Sequence, residues 1–179
     1  ARLPPTGELL VRLPHHPEGE LSWVQVRALG QRGGRAEEHE LDPVVIDVST
    51  VVDECLHTWR PAADALGIPL HVDVRSGALT SAPPGAIDEV VDNLLDNAEK
   101  YSRGARDRAI EVRLALRDGR VELSVADHGP GIPESLRSHL FEPFARVEGA
   151  DAPAGLGLGL ALVRAGRLLD APVLALGDQ

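Results

Sequence analysis

The sequence predicts an α/β protein: a two-layer α/β sandwich, one mixed β-sheet covered on one face by helices. Three observations predict it. From residue 43 onward, stretches with a helical period alternate with stretches of strand period. AIEVRLALRDGRVELSVAD reads as a hairpin, two β-rich runs joined across Asp118 and Gly119. The segment from Pro84 to Ser102 is an amphipathic helix whose single apolar face needs a sheet to pack on.

The elements follow in order. Residues 1–39 carry Pro and Gly every few positions, and only ELLVRL and LSWVQVRAL suggest short elements; this part is expected to be an irregular leader or linker. Residues 40–179 form the expected domain. VVIDV reads as a strand. Ser49 is the expected cap of a helix through VVDECLHTWRPAADAL, with Gly67 as its stop and Pro61 kinking or dividing it. IPLHVDV alternates as a strand does, and residues 77–85 read as a turn-rich connection. After the amphipathic helix and the hairpin come the loop ADHGPGIP, the short helix ESLRSHLF, the Gly- and Ala-rich loop ARVEGADAPAGLGLG, the helix LALVRAGRLL and a last strand, APVLAL.

Composition narrows the function classes. Aromatic residues are 3% of the chain, so the core is built from Leu, Val, Ala and Ile. No apolar run reaches membrane-spanning length, and no signal-peptide pattern is seen. The chain has no methionine, position 1 included, which suggests a piece of something longer. A single cysteine, Cys55, rules out an internal disulfide or a cysteine-based metal site and is expected to be a small buried hydrophobe. The formal net charge of −10 argues against broad nucleic-acid binding, though a local anion site is compatible with it.

One stretch stands out, VVDNLLDNAEKYS (90–102). On a helical wheel Ile87, Val90, Val91, Leu94, Leu95 and Ala98 share the apolar face, and Asp88, Asp92, Asp96 and Glu99 the opposite one. Asn93, Asn97 and Lys100 fall together on the border, at i, i+4 and i+7. Lys100 is the only lysine; arginine supplies the rest of the 18 basic residues. Amide oxygens are hard ligands suited to Mg²⁺, and an ammonium is a point charge for phosphate. Taken alone, such a border is ordinary for an amphipathic helix.

Three further motifs change the reading. In Asp127-His-Gly129-Pro-Gly131, spaced glycines let backbone approach a flat ligand while the carboxylate accepts from an exocyclic amine. Phe141 and Phe144, the only phenylalanines, flank a proline ahead of Arg146. Gly155, Gly157 and Gly159 precede a helix, where exposed N–H groups make an anion site. This glycine run is not a Walker A loop, lacking Gly-Lys-Ser/Thr, and no strand precedes it as a dinucleotide fingerprint needs.

The order of these four motifs is more specific than any one of them. Residues 40–175 resemble the ATP-binding catalytic domain of bacterial sensor histidine kinases, within the superfamily that includes gyrase, mismatch-repair ATPases and large heat-shock chaperones. NLLDNAEKYS resembles that family's N box, DHGPG its first glycine box, FEPFAR its F box and GLGLGL its second glycine box. The resemblance implies the Bergerat-type ATP-binding fold, ATP and Mg²⁺ as cofactors, and a role for each matched residue. Asn97 would coordinate Mg²⁺; Asn93 would contact phosphate or a metal-bound water; Lys100 and Tyr101 would contact phosphate. Asp127 would bind the adenine amine, with Gly129, Gly131 and Ile132 shaping the base pocket. Gly155, Leu156, Gly157, Leu158 and Gly159 would cradle phosphate. Residues 145–154 would form a mobile lid hinged at the Phe pair, with Phe144 at the nucleotide. The implied catalytic set is Asn93, Asn97 and Lys100.

The resemblance further implies transfer of the γ-phosphoryl group to a histidine on a separate dimerisation domain, and from there to a response regulator. Neither nucleic acid nor membrane contact is expected of this chain, which would sit in the cytoplasm as part of a membrane-bound sensor. Where superfamily ATPases place a water-activating glutamate, this chain has Asn93, so slow hydrolysis is expected. His39, in EEHELDP, is not the expected phosphoacceptor. It stands only 54 residues before Asn93, too few for the family's helical hairpin. The family ends with two more strands and a glycine turn, of which APVLAL supplies at most one. Two other readings are a degenerate nucleotide-binding or docking module and a self-contained ATPase switch.

Overall fold

The computed structural model describes residues 7–14, 27–29, 38–40, 44–131 and 174–176. Its main sheet has five strands in the order β5-β7-β8-β1-β9. These are β1 (Gly7–Pro14), β5 (Leu70–Val74), β7 (Ile110–Arg117), β8 (Arg120–Asp127) and β9 (Leu174–Leu176). β5 and β7 run parallel and the other neighbours antiparallel, so the sheet is mixed. Two short pairs stand apart: β2 (Arg27–Leu29) with β3 (Glu38–Glu40), and β4 (Val44–Asp47) with β6 (Leu79–Ala82). Helices α1 (Val48–Ala65) and α2 (Ala86–Ser102) form the second layer.

The hairpin β7–β8 forms where the sequence places it. Asp118 and Gly119 both take positive φ, 50° and 71°, as a tight turn matching the twist of the strands requires. α2 also agrees with the sequence. Its apolar stripe, Ile87, Val90, Val91, Leu94, Leu95 and Ala98, is buried against the sheet and α1. Asp88 and Glu89 in its first turn complement the helix dipole.

α1 departs from expectation at its start and its middle. Its cap is Asp47, whose Oδ1 accepts from the Ser49 N–H at 3.0 Å, so Ser49 is already inside the helix. Pro61 does not divide it; the helix runs on for 18 residues, its apolar face held in the core by Val52, Leu56 and Ala63. It does stop as expected. Gly67 takes φ +65°, the Ile68 N–H donates to the Ala63 carbonyl at 2.9 Å, and the Gly67 N–H to that of Asp64 at 3.1 Å.

β6 lies within residues 77–85, expected to be a turn; its four residues pair antiparallel with β4. The largest difference is β1. Expected to belong to an irregular leader, residues 7–14 form an eight-residue strand between β8 and β9. Val11 and Leu13 are 0% and 1% exposed and join the main core. Arg12 stands opposite Glu122 in register and donates to it at 2.7 Å. Burying two such side chains contributes about 3–6 kcal/mol, which explains why a stretch flanked by Pro and Gly takes a place inside the sheet. β9 confirms one strand of APVLAL; the expected helices at 134–141 and 160–169 lie outside the described residues.

Candidate nucleotide site

The site is built where the last half of α2 meets the end of β8. Asn93, Asn97, Lys100 and Tyr101 are all half-buried, the environment expected of a helix border between core and solvent. Asp92 and Asp96 are exposed. Glu99, expected in water with them, is instead half-buried. It accepts from Arg103 at 2.7 and 2.9 Å and pairs with Arg108 at 3.4 Å. The Arg103 hydrogen bond outweighs burial and holds its carboxyl below the usual range. Cys55 is likewise half-buried rather than enclosed. Burial first, and then the neighbouring Asp92, pushes its thiol up to about 11, so it stays an unreactive thiol.

The orientation of Asn93 is set by its own helix. Its Nδ2 donates to the Glu89 carbonyl at 2.8 Å. A carbonyl can only accept, so the NH₂ end is fixed on the backbone and the amide presents Oδ1 outward. An oxygen at this place suits a hydrated divalent cation or its water, which take oxygen ligands. It cannot take a proton from water at neutral pH.

β8 delivers Asp127 to its C-terminal end. Asp127 Oδ1 accepts the Gly129 N–H at 2.7 Å, closing a tight turn in which Oδ2 takes no part. Burial pushes the Asp127 carboxyl up from its ordinary range, and the Gly129 N–H pulls the other way. Gly129 has to be glycine. A Cβ there would lie 2.6 Å from the Tyr101 carbonyl oxygen, so the loop after β8 is pressed onto the end of α2. Gly131 takes φ +74°, a conformation side chains resist. The contact between Gly129 and Tyr101 thus joins the Asp127 loop to the helix that carries Asn93, Asn97 and Lys100.

Ile132, Phe144 and Gly155, Leu156, Gly157, Leu158 and Gly159, with residues 145–154, lie outside the described residues. One residue beside the site, Asp107, carries no signal in the sequence; His128, the other, is a member of the glycine loop of residues 127–131. Asp107, in the α2–β7 connection, lies 3.9 Å from the buried His128. Their sequence separation leaves no local signal. His39 falls on β3, opposite Ala28.

Residues 83–170 match the family of the histidine kinase-, DNA gyrase B-, and HSP90-like ATPase. The chain belongs to this family. Within it, the chain is similar to sensor kinases. The signal transduction histidine-protein kinase/phosphatase MprB of Mycolicibacterium paratuberculosis is 40% identical over 119 residues, 66% of this chain and 22% of that protein. Among solved structures, a mycobacterial sensor histidine kinase MprB superposes with a TM-score of 0.58 at 32% identity, over 68% of this chain and 76% of that one. Full-length ShkA in complex with AMPPNP superposes with a TM-score of 0.58 at 31% identity, over 74% of this chain and 27% of that one. The chain is an ATP-binding catalytic domain of the sensor histidine kinase type, and it spans less than a third of the length of the curated relatives it matches. Among its described residues no helix is long and apolar enough to cross a membrane.

Proposed function

We propose that this domain binds Mg-ATP and delivers the γ-phosphoryl group to a histidine on a separate dimerisation domain, from which a response regulator receives it. Asp127 Oδ2 takes the adenine amine, and Gly129 and Gly131, with Ile132, shape the base pocket. Asn97 holds Mg²⁺, Asn93 turns Oδ1 to phosphate or a metal-bound water, and Lys100 and Tyr101 contact phosphate. By the family resemblance, Gly155, Leu156, Gly157, Leu158 and Gly159 bind phosphate and Phe144 belongs to the nucleotide site. Bound Mg²⁺ would neutralise charge on the phosphate oxygens. The acceptor nitrogen bonds to the γ-phosphorus, the bond from that phosphorus to the bridging oxygen breaks, and ADP leaves. In the parent protein the domain works on the cytoplasmic side of a membrane-bound sensor. Its catalytic unit takes in β1 as well as residues 40–179, since β1 pairs with β8 and packs into the same core.

The observation that carries this reading is the joint of Gly129 with Tyr101, which sets an amine-accepting carboxylate against a helix offering amide oxygen and ammonium. Asn93 speaks against the ATPase-switch reading, because no carboxylate stands there to activate water. The test is calorimetric titration with ATP and ADP in Mg²⁺, followed by phosphotransfer to a supplied dimerisation domain. Micromolar binding with slow hydrolysis is expected, and Asn93→Glu should raise hydrolysis. A folded chain that binds neither nucleotide would refute the proposal in favour of a docking module.

A further inference from the structure

The side chain of His128 is 5% exposed, and among the described residues its Nε2 finds no hydrogen-bond partner. A buried polar nitrogen left unpaired is costly and calls for a partner in some state of the molecule. A charged group faces it: Asp107 Oδ2 lies 3.9 Å from Nε2, an ion-pair separation too long for a hydrogen bond. Asp107 is well placed to receive it. Its Oδ1 is committed to the Ala109 N–H at 2.9 Å, which leaves Oδ2 over. Its loop is pinned independently, by Arg108 to the Leu66 carbonyl at 3.1 Å and by the Ala105 N–H to Ser102 at 3.0 Å. His128 stands in the chain between Asp127 and Gly129, the two residues whose mutual hydrogen bond shapes the base site. A shift of the loop backbone that carries the imidazole therefore also moves the carboxylate that would read the adenine amine.

We propose that His128 and Asp107 are positioning residues for the base: when adenine occupies the Asp127 loop, the loop moves by about an ångström and His128 Nε2–H closes a hydrogen bond onto Asp107 Oδ2. This inference rests on the nucleotide-binding reading. Since a carboxylate only accepts, the pair fixes His128 as the tautomer protonated on Nε2. It acts through Asp127 and touches no phosphate, so it should favour ADP and ATP equally.

Two measurements on the full chain test it. In nitrogen-15 NMR of the histidine rings, saturation with ADP should bring up a protected, hydrogen-bonded Nε2–H signal for His128, absent in the free protein. No change in that signal on saturation overturns the proposal without any variant. In calorimetry, His128→Ala and Asp107→Asn should each weaken ADP and ATP by the same factor, about tenfold. The double variant should be no weaker than either single, and His128→Gln, whose amide reaches about as far as Nε2, should recover most of the loss. Losses that multiply in the double variant, or an effect confined to ATP, overturn it. Nucleotide bound normally by all variants overturns this inference alone, whereas a wild-type chain that binds no nucleotide removes the site itself and the inference with it.

Discussion

Replacing Asp127 with asparagine should turn an acceptor into a donor where the adenine amine arrives. The Gly129 N–H, 2.7 Å from Oδ1, must keep an oxygen partner, so the new amide has to keep its oxygen there. Its NH₂ then faces the ligand amine, donor against donor. The loss is one hydrogen bond to a charged group, about 1.5–3 kcal/mol, or roughly ten- to a hundredfold in Kd. The same geometry predicts a change of preference. An inosine nucleotide carries an oxygen in place of the amine, so Asp127→Asn should shift the ATP-to-ITP affinity ratio towards ITP. Calorimetry with both nucleotides in Mg²⁺ reads both effects, and thermal melting confirms that the variant is folded. Acidity adds a third signature. Because burial raises the Asp127 carboxyl and the ligand needs it ionised, wild-type affinity should fall on acidification before an ordinary aspartate would titrate. The variant should not show that fall. ATP affinity within about twofold of wild type, or an unchanged ATP-to-ITP ratio, would refute the assignment of Oδ2 to the base.

Gly129→Ala places a methyl 2.6 Å from the backbone oxygen of Tyr101, which cannot rotate away; it should cost about 1–3 kcal/mol and most nucleotide affinity, read by melting with and without ADP. Glu99→Gln should cost about 1 kcal/mol near neutral pH. The native carboxyl titrates below its ordinary range, so that advantage is complete above the ordinary range and disappears as pH falls through the lowered value; urea titrations at several pH values should show the two proteins converge in acid. Leu13→Ala, at 1% exposure, should cost about 2–5 kcal/mol in the same titrations, whereas a strand outside the cooperative unit would lose almost nothing.

What was legible in the sequence follows the range of the interactions involved. α2 could be read because its apolar stripe repeats within one helix, and the hairpin because Asp118-Gly119 is a local turn signal. The border residues Asn93, Asn97 and Lys100 followed from the same wheel, and all are half-buried. The cap of α1 was misplaced by two residues because Asp47 and Ser49 are both good caps, and a local pattern does not choose between them. β6 is four residues with a single apolar side chain beyond alanine, too short for alternation to register against the neighbouring glycine and prolines. β1 was seen only as a short run, because what makes it a strand is a partner more than a hundred residues away. The pairing of His128 with Asp107 depends on how two loops meet, for which no sequence period exists.

The position of β1 also sets an order of events in time. Leu13 lies opposite Val121, and Gly7 opposite Asp127, so the first of the described strands cannot find its seat until β8 exists. β8 must be synthesised, more than a hundred residues after β1, before this pairing is available, and closing so long a loop slows folding. Until then β8 has one bare edge, a surface prone to pairing with other chains. β8 also ends in Asp127, so the carboxylate proposed to read the base is carried by a strand whose pairing with β1 waits for a loop of about a hundred residues to close. Adenine nucleotide added to refolding protein should therefore be captured only once β1 has joined β8, which makes ligand binding a reporter of that pairing.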